Sequence, residues 1–215
     1  MSEDNNRVIV SGKVVNTPIL DHTLYGEEFY TFDISIPRLS GTVDVLPLTV
    51  SNRLMGNRLP EVGNHITVKG QLRSYNKQID GVNRLIITIF AKQFRYEPTD
   101  YDYINDIELK GYICKPVIYR TTPFMREIAD ILIAVNRSYG KSDYLPCIAW
   151  GRNAHFAGSL DVGSVVRLEG RVQSRVYQKQ LSETEIVERT AYEVSCSILE
   201  LLPTDTVIGS IGERE

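Results

Sequence analysis

Residues 10–14, VSGKV, are matched ninety-nine positions later by residues 109–113, LKGYI. The same offset joins three further pairs of residues: Gly41 and Gly140, Pro47 and Pro146, and Arg53 and Arg152. Residues 69–72, KGQL, match residues 169–172, EGRV, at an offset of one hundred, which indicates a single insertion. Such insertions cost little free energy when they lie in surface loops. Register held over several blocks predicts that one small fold occurs twice in the chain.

The length of the chain fits this duplication, because 215 residues form two domains of about 100 residues, a common domain size. The boundary is predicted in the polar stretch EPTDYD at residues 97–102. We therefore predict a first domain at residues 1–98, a second domain at residues 104–203 and a short C-terminal tail at residues 204–215.

Composition limits where the protein is expected to act. No apolar run reaches the roughly 20 residues that a membrane span needs, and the polar N-terminus does not resemble a signal peptide. The three cysteines, Cys114, Cys147 and Cys196, lie in apolar runs and are predicted to be small core residues in a reducing compartment. These features predict a cytoplasmic protein without a membrane segment.

Charge is unevenly distributed along the chain. The formal net charge is −3, yet residues 110–182 contain eleven Lys and Arg against five Asp and Glu. A basic stripe of this kind is compatible with a polyanionic partner. An ordinary solvated surface is the commoner reason for such a stripe, so charge alone leaves both explanations open.

The order of the predicted elements indicates the fold. Each half contains five β-rich runs bounded by Gly, Pro, Asn or Asp. Residues 152–160, RNAHFAGSL, fit a short helix between the third and fourth runs of the second half, and the repeat predicts the same element in the first half. This order is that of the OB-fold barrel, which binds oligonucleotides on one face. We predict an all-β protein with two tandem five-stranded OB-fold barrels, each with one short helix after strand 3.

Alternation along the fourth run of each half predicts which side chains face outward. In the second half these are Arg167, Arg171, Gln173, Arg175 and Tyr177. In the first half they are Lys69, Gln71, Arg73, Tyr75 and Lys77. Interleaved basic and aromatic side chains suit phosphate contacts and base stacking. A plain solvated barrel exterior would produce the same alternation, so the strands alone do not decide between these readings.

Three blocks carry a resemblance to a known family: IAVNR at residues 133–137, IAWGR at 148–152 and LEGRV at 168–172. Together they resemble the bacterial single-stranded DNA-binding proteins. The resemblance covers residues 106–201 well and residues 7–94 more weakly. It implies single-stranded DNA as the partner, in replication, recombination or repair, and a location in the cytoplasm at the nucleoid.

The resemblance also implies which residues bind the nucleic acid. The stacking aromatics of the family fall on Tyr139, Tyr144, Trp150 and Tyr177, and the basic residues beside them on Arg137, Arg152, Arg171 and Arg175. The first half has Ser40, Val45, Ser51 and Lys77 at the aromatic positions, with Arg73, Tyr75 and Lys77 as its candidate binding residues. The second half is therefore expected to contribute most of the binding, whereas the first half either follows the DNA backbone electrostatically or serves in assembly.

Other interpretations remain open for individual aromatics and for the chain as a whole. Trp150 could be a core residue, and Tyr144 could cap a strand edge. A protein-interaction module of a primosomal replication complex, with weak nucleic-acid binding, is the alternative function.

The remaining expectations concern chemistry and assembly. No motif or spacing of His and Cys indicates catalysis, a metal site or a cofactor. Typical members of the family carry one barrel per chain and form assemblies of four barrels. By this resemblance, a chain with two barrels is expected to form a homodimer. The family commonly ends in an acidic tail that recruits partners, and the short tail here lacks an acidic run.

Overall fold

The computed structural model describes residues 5–79, 81–180 and 186–203, and it is built almost entirely of β-strands. The strands of the first half are β1 (Asn6–Val14), β2 (Ile19–Leu24), β3 (Glu27–Pro37), β4 (Val43–Ser51), β5 (His65–Ile79) and β6 (Val82–Glu97). The strands of the second half are β7 (Ile104–Ile113), β8 (Ile118–Thr121), β9 (Glu127–Asn136), β10 (Ser142–Trp150), β11 (Val165–Gln180) and β12 (Ile186–Leu201). One helix, α1 (Arg152–Gly158), follows β10.

Each half closes into a barrel of five strands. In the first half the ladder runs β3-β4-β6-β5-β1, and β1 then pairs with β3 to close the barrel. The second half repeats this order, and β7 pairs with β9. The single parallel pair in each barrel joins β4 to β6 or β10 to β12. Both halves are therefore OB-fold barrels, and the predicted all-β class is confirmed.

The repeated glycines of the sequence lie where strands cross closely. A Cβ atom on Gly12 would lie 2.5 Å from the carbonyl oxygen of Ser35, and one on Gly111 would lie 2.5 Å from that of Ala134. Both contacts occur where β1 and β7 meet the strand that closes their barrel. These two positions are glycines because any side chain would push the closing strands apart.

The two barrels share one sheet. Strands β1 and β7 pair antiparallel from Asn6 with Leu109 to Ser11 with Ile104. This pairing joins the two barrels into a single twelve-stranded sheet whose order is symmetric about the β1–β7 pair. The core fills both barrels with aliphatic side chains, among them Ile34, Leu46 and Leu168, which are fully buried.

The structure differs from the sequence prediction in two elements. Each half has a sixth, short strand, β2 or β8, that forms a hairpin on the outside of the barrel. The first half has no helix after β4 among its described residues, so that part of the prediction is wrong. Residues 52–57 form turns instead, because Gly56 and Asn57 adopt positive φ angles of 69° and 57°, which a helix cannot contain.

Candidate nucleic-acid interface

The outer face of β10 carries the most prominent aromatics of the second half. Residues on this strand alternate, so that Leu145 and Cys147 point into the core while Tyr144 and Trp150 point outward. Tyr144 is 49% exposed and Trp150 is 41% exposed. The core interpretation of Trp150 is therefore wrong. Because the two residues are six positions apart on one strand, they lie about 20 Å from each other.

A groove of about 670 Å³ runs from Trp150 across the outer face of the second barrel. Its charged lining includes Arg120, Arg171 and Arg175, together with the carboxylates of Asp130 and Glu193. Arg120 pairs with Asp130 at 3.0 Å and Arg175 with Glu193 at 3.7 Å. In each pair the arginine side chain is more than half exposed, so its guanidinium group stays accessible to an anion.

Arg171 differs from its neighbours in the groove because none of the carboxylates that the structure describes pairs with it. Its Nη2 atom donates to Gln173 at 3.4 Å, and its Nε atom is buried without a hydrogen-bond partner. Gln173 in turn donates to Glu193 at 2.7 Å. A guanidinium that no described carboxylate neutralises offers its other N–H donors to an anionic ligand.

First-half residues complete this groove. Arg38 and Thr42 from the β3–β4 loop and Val43 from the start of β4 line the same groove as Trp150. Val45 also donates its backbone N–H to the hydroxyl of Ser174 at 3.0 Å. The groove is therefore built by both halves rather than by the second half alone.

Arg137, a predicted binding residue, joins the two barrels. We call its contacts with Asp143 and Ser74 a clamp. Its Nε donates to Asp143 at 2.6 Å and its Nη2 donates to the Ser74 carbonyl at 2.9 Å, and these contacts with Asp143 raise the pKa of Arg137. The Ser74 N–H donates to Asp143 at 2.5 Å and the Tyr144 N–H donates to the Ser74 hydroxyl at 2.8 Å. The predicted residues Arg137 and Tyr144 thus contact β5 of the first half.

The same clamp occurs on the other side of the molecule. Arg38 binds Asp44 through two hydrogen bonds of 2.7 and 2.5 Å, and its Nη2 donates to the Ser174 carbonyl at 3.4 Å. The N–H of Ser174 donates to Asp44 at 2.8 Å. Arg38 and Arg137, which the repeat aligns, therefore play the same role: each binds an aspartate of its own half and a serine carbonyl of the other half.

The long hairpin of β11 and β12 carries the predicted Tyr177. The guanidinium of Arg175 lies 5.8 Å from the centre of the Tyr177 ring, a cation–π distance. Tyr177 is partly buried in a second groove that lies between the halves and includes Pro47 and Pro146. Tyr177 and Trp150 therefore do not line the same groove.

The other predicted residues are more scattered. Arg152 starts α1 and, together with Trp150 and Phe156, lines a depression distinct from the groove. Lys77 is exposed on the hairpin of β5 and β6. The backbone of Tyr139 lies in a 3₁₀ turn, but its side chain is outside the described part of the structure. The predicted tail, residues 204–215, is outside it as well.

The first half carries aromatics on the equivalent face that the aligned positions did not reveal. His22 and Phe29 stack with ring centres 4.8 Å apart and an angle of 4° between their planes. Phe29 lies 5.7 Å from Phe90, and the guanidinium of Arg73 lies 4.2 Å above the Phe90 ring. We call these four residues the first-half column. The sequence could have revealed Phe29, Arg73 and Phe90 through strand alternation, which places all three on the outward face of β3, β5 and β6.

Tyr75 lies close to this column. It is 41% exposed, and burial followed by the charge of Asp21 raises its pKa. The carboxylate of Asp21 lies 2.7 Å from Nδ1 of His22 and accepts a hydrogen bond from it in the tautomer that carries the proton on Nδ1. At Tyr75 the β5–β6 hairpin therefore lies close enough to β2 for the charge of Asp21 to act on it.

The described residues contain neither a metal-binding cluster nor a membrane-spanning helix. Within residues 5–79, 81–180 and 186–203, no group of three or more His, Cys, Asp and Glu side chains is arranged to hold a metal ion. No helix in the same part of the chain is long and apolar enough to cross a membrane.

Comparison with known proteins identifies the family. The model of the Single-strand binding protein family matches residues 104–202. The chain is 32% identical over 95 residues to Single-stranded DNA-binding protein 3 of Streptococcus agalactiae serotype V, which covers 39% of this chain and 69% of that protein. It is 30% identical over 104 residues to Single-stranded DNA-binding protein 1 of Streptococcus pyogenes serotype M18, which covers 45% of this chain and 79% of that protein. The chain belongs to the single-strand binding protein family.

Solved structures support the fold over nearly the whole chain. The wild-type single-stranded DNA binding protein from Thermus aquaticus superposes with a TM-score of 0.74 and covers 92% of this chain and 93% of that chain. Its sequence identity is 20%, so this similarity concerns the fold alone. The family model matches the second half, and the similarity of fold extends to both halves.

Proposed function

We propose that the protein binds single-stranded DNA along the groove that begins at Trp150. The observation that carries this proposal is a half-exposed tryptophan beside Arg171 and Arg175 on the outer face of an OB-fold barrel. An indole face offers a stacking surface to any base, so binding through it tolerates many sequences. The arginines supply phosphate contacts and cation–π contacts.

The proposed mechanism has two separable contributions. Stacking on Trp150 contributes about 1–3 kcal/mol per base and involves no charge, so it does not depend on salt. Phosphate contacts by Arg171 and Arg175 release counterions, so their contribution falls as salt concentration rises. Duplex DNA hides its base faces, and we expect it to bind more weakly than a single strand.

The experiment measures binding of a labelled oligonucleotide by anisotropy at several salt concentrations. Replacing Trp150 by Ala should cost about 1–3 kcal/mol and leave the salt slope unchanged, whereas Trp150→Phe should retain most of the affinity. Replacing Arg171 by Ala should weaken binding and reduce the salt slope by about one. Affinity that does not change with salt, or equal affinity for duplex DNA, would contradict the mechanism.

We further propose that residues 104–203 provide most of the binding energy, with residues 1–98 as a second barrel. The support is the distribution of charge and aromatics, since Trp150, Tyr144 and Tyr177 all belong to the second half. The relatives are bacterial, and we place the activity in the cytoplasm at the nucleoid, in replication, recombination or repair. A protein-interaction module is less well supported, because the relatives are named for DNA binding.

A homodimer with four barrels is the proposed assembly. On the outward face of the sheet around β1 and β7, the first-half strands carry mainly positive charge and the second-half strands mainly negative charge. Its first-half strands carry mainly basic residues, namely Arg7, Lys13, Lys69 and Arg95, with Glu97 as the exception. Its second-half strands carry mainly acidic residues, namely Asp106, Glu108, Glu169 and Glu200, with Lys110 and Arg167 as the exceptions. Arg167 pairs with Glu108, Glu169 and Glu200 within the chain, so it offsets part of this negative charge.

This separation suits a second copy of the chain. A two-fold axis parallel to β1 and β7 would place the basic strands of one copy over the acidic strands of the other. Reversing two charges, Lys69→Glu with Arg95→Glu, should shift a dimer toward monomer in light scattering, whereas Lys115→Glu on an exposed loop should not. A wild-type protein that stays monomeric at high concentration would contradict the dimer and leave the DNA proposal standing.

A further inference from the structure

The first-half column is an unusual feature for the outside of a barrel. Four side chains from four strands, His22, Phe29, Phe90 and Arg73, contact one another in series across the outer face. Phe29 is 8% exposed and Phe90 is partly buried, and neither belongs to the contiguous core cluster inside the barrels. The column is therefore a separate layer of packing on the outside of the first barrel.

Small residues on β4 make the column geometrically feasible. Strand β4 lies between β3 and β6, and its outward residues Thr49 and Ser51 are buried beneath the two rings. Thr49 pairs with Thr88 on β6 through a hydrogen bond of 2.9 Å. The repeat aligns Ser51 with Trp150, so the second barrel carries one large ring where the first carries two rings from the neighbouring strands.

The two ends of the column differ in chemistry. At one end the side chain of His22 is 44% exposed, with one ring face covered by Phe29. At the other end Arg73 donates to Gln71 at 3.2 Å, and its Nε atom is buried without a hydrogen-bond partner. An exposed imidazole offers a stacking surface to a base, and a guanidinium offers donors to a phosphate.

We propose that the first barrel has its own single-strand site, in which a base stacks on the open face of His22 and Arg73 binds a phosphate. This inference rests on the proposed function, because it takes single-stranded DNA as the ligand. The site is less basic than the groove of the second half, since His22 pairs with Phe29 where Arg120 pairs with Ile128, and Tyr75 occupies the position that the repeat aligns with Arg175. Its affinity is therefore lower and less dependent on salt.

The test uses the full chain and calorimetric titration with an oligothymidylate of about 8 nucleotides, a length that one OB-fold accommodates. Two sites predict that the wild type binds two oligonucleotides, and that the weaker site loses about tenfold in affinity in His22→Ala. Phe90→Leu, which keeps an apolar side chain but removes the ring, should have the same effect. His155→Ala, which removes an exposed histidine of the second half, serves as the matched control.

Each outcome bears on a different proposal. Loss of the second binding event in His22→Ala and Phe90→Leu, with the first event unchanged, supports the site. A wild type that binds one oligonucleotide, weakened by Trp150→Ala but not by His22→Ala, overturns this inference and leaves the proposed function intact. A wild type that binds none overturns both. Circular dichroism of each variant identifies loss of folding, and His22→Ala keeps the test open if Phe90→Leu does not fold.

Discussion

Single side chains in this molecule show how an arginine can serve structure and still resemble a binding residue. Arg137 aligns with a basic position of the family, and the sequence alone assigns it to DNA. In the structure it binds a carboxylate, Asp143, that is only 1% exposed, and it reaches across to Ser74 of the other barrel. Sequence could not predict this role, because the partner carbonyl lies sixty-three positions away.

Loss of Arg137 should therefore reduce stability. Arg137→Ala leaves Asp143 buried without its cation, and we expect the free energy of unfolding to fall by about 3 kcal/mol. Arg120→Ala is the control, because its pair with Asp130 is exposed on both sides and contributes at most about 1 kcal/mol. Urea unfolding of both variants measures the difference, and equal losses would contradict the clamp.

The buried cysteines give a second prediction at the scale of residues. Burial raises the pKa of Cys196 to about 12 and raises the pKa of Cys147 well above its ordinary value. Only the thiolate is nucleophilic, and at neutral pH both groups stay protonated. We expect Cys147 and Cys196 to react with a thiol reagent only after unfolding in denaturant. Rapid labelling of either residue in the native protein would show that it is accessible.

At the scale of elements, the strands with alternating burial are the ones that sequence predicts. In β9 buried residues alternate with partly buried ones along most of the strand, and the alternating runs were identified in both halves. The strands β2 and β8 were missed because every residue in them is exposed, which leaves no alternation to detect. The family's aligned positions do not reveal the first-half column either, because its rings lie on β2, β3 and β6 rather than on β4.

The closing strand pairs give a prediction for glycine. In Gly111→Ala the new Cβ would lie 2.5 Å from the Ala134 carbonyl oxygen, so β7 and β9 must separate, and we expect a loss of about 1–3 kcal/mol in stability. Gly158→Ala is the matched control, because its nearest neighbour, Tyr119, is 3.5 Å away and helices favour alanine. The urea midpoint should fall in the first variant and stay or rise in the second.

At the scale of the whole molecule, the duplication is visible in the sequence but the joining of the halves is not. The pairing of β1 with β7 consists mainly of backbone hydrogen bonds, which any two strand edges can form, and Arg7 adds ion pairs to Asp106 and Glu108 across it. Because single ion pairs of this kind occur on many surfaces, the sequence does not identify β7 as the partner of β1. The consequence is large, because the groove at Trp150 includes Arg38 and Thr42 of the other half. Binding measured on separated halves would therefore test incomplete sites.

The shared sheet predicts how the chain unfolds. The β1–β7 ladder and the two clamps, Arg38 with Ser174 and Arg137 with Ser74, connect the barrels at three places, so neither barrel should unfold alone. Trp150 is the single tryptophan and reports on the second barrel, whereas far-ultraviolet circular dichroism reports on both. In urea the two signals should change together at one midpoint, as a single cooperative unit requires. A circular dichroism transition that begins well before the fluorescence change would mean that the first barrel unfolds independently, and the connection through β1 and β7 would then be too weak to unite them.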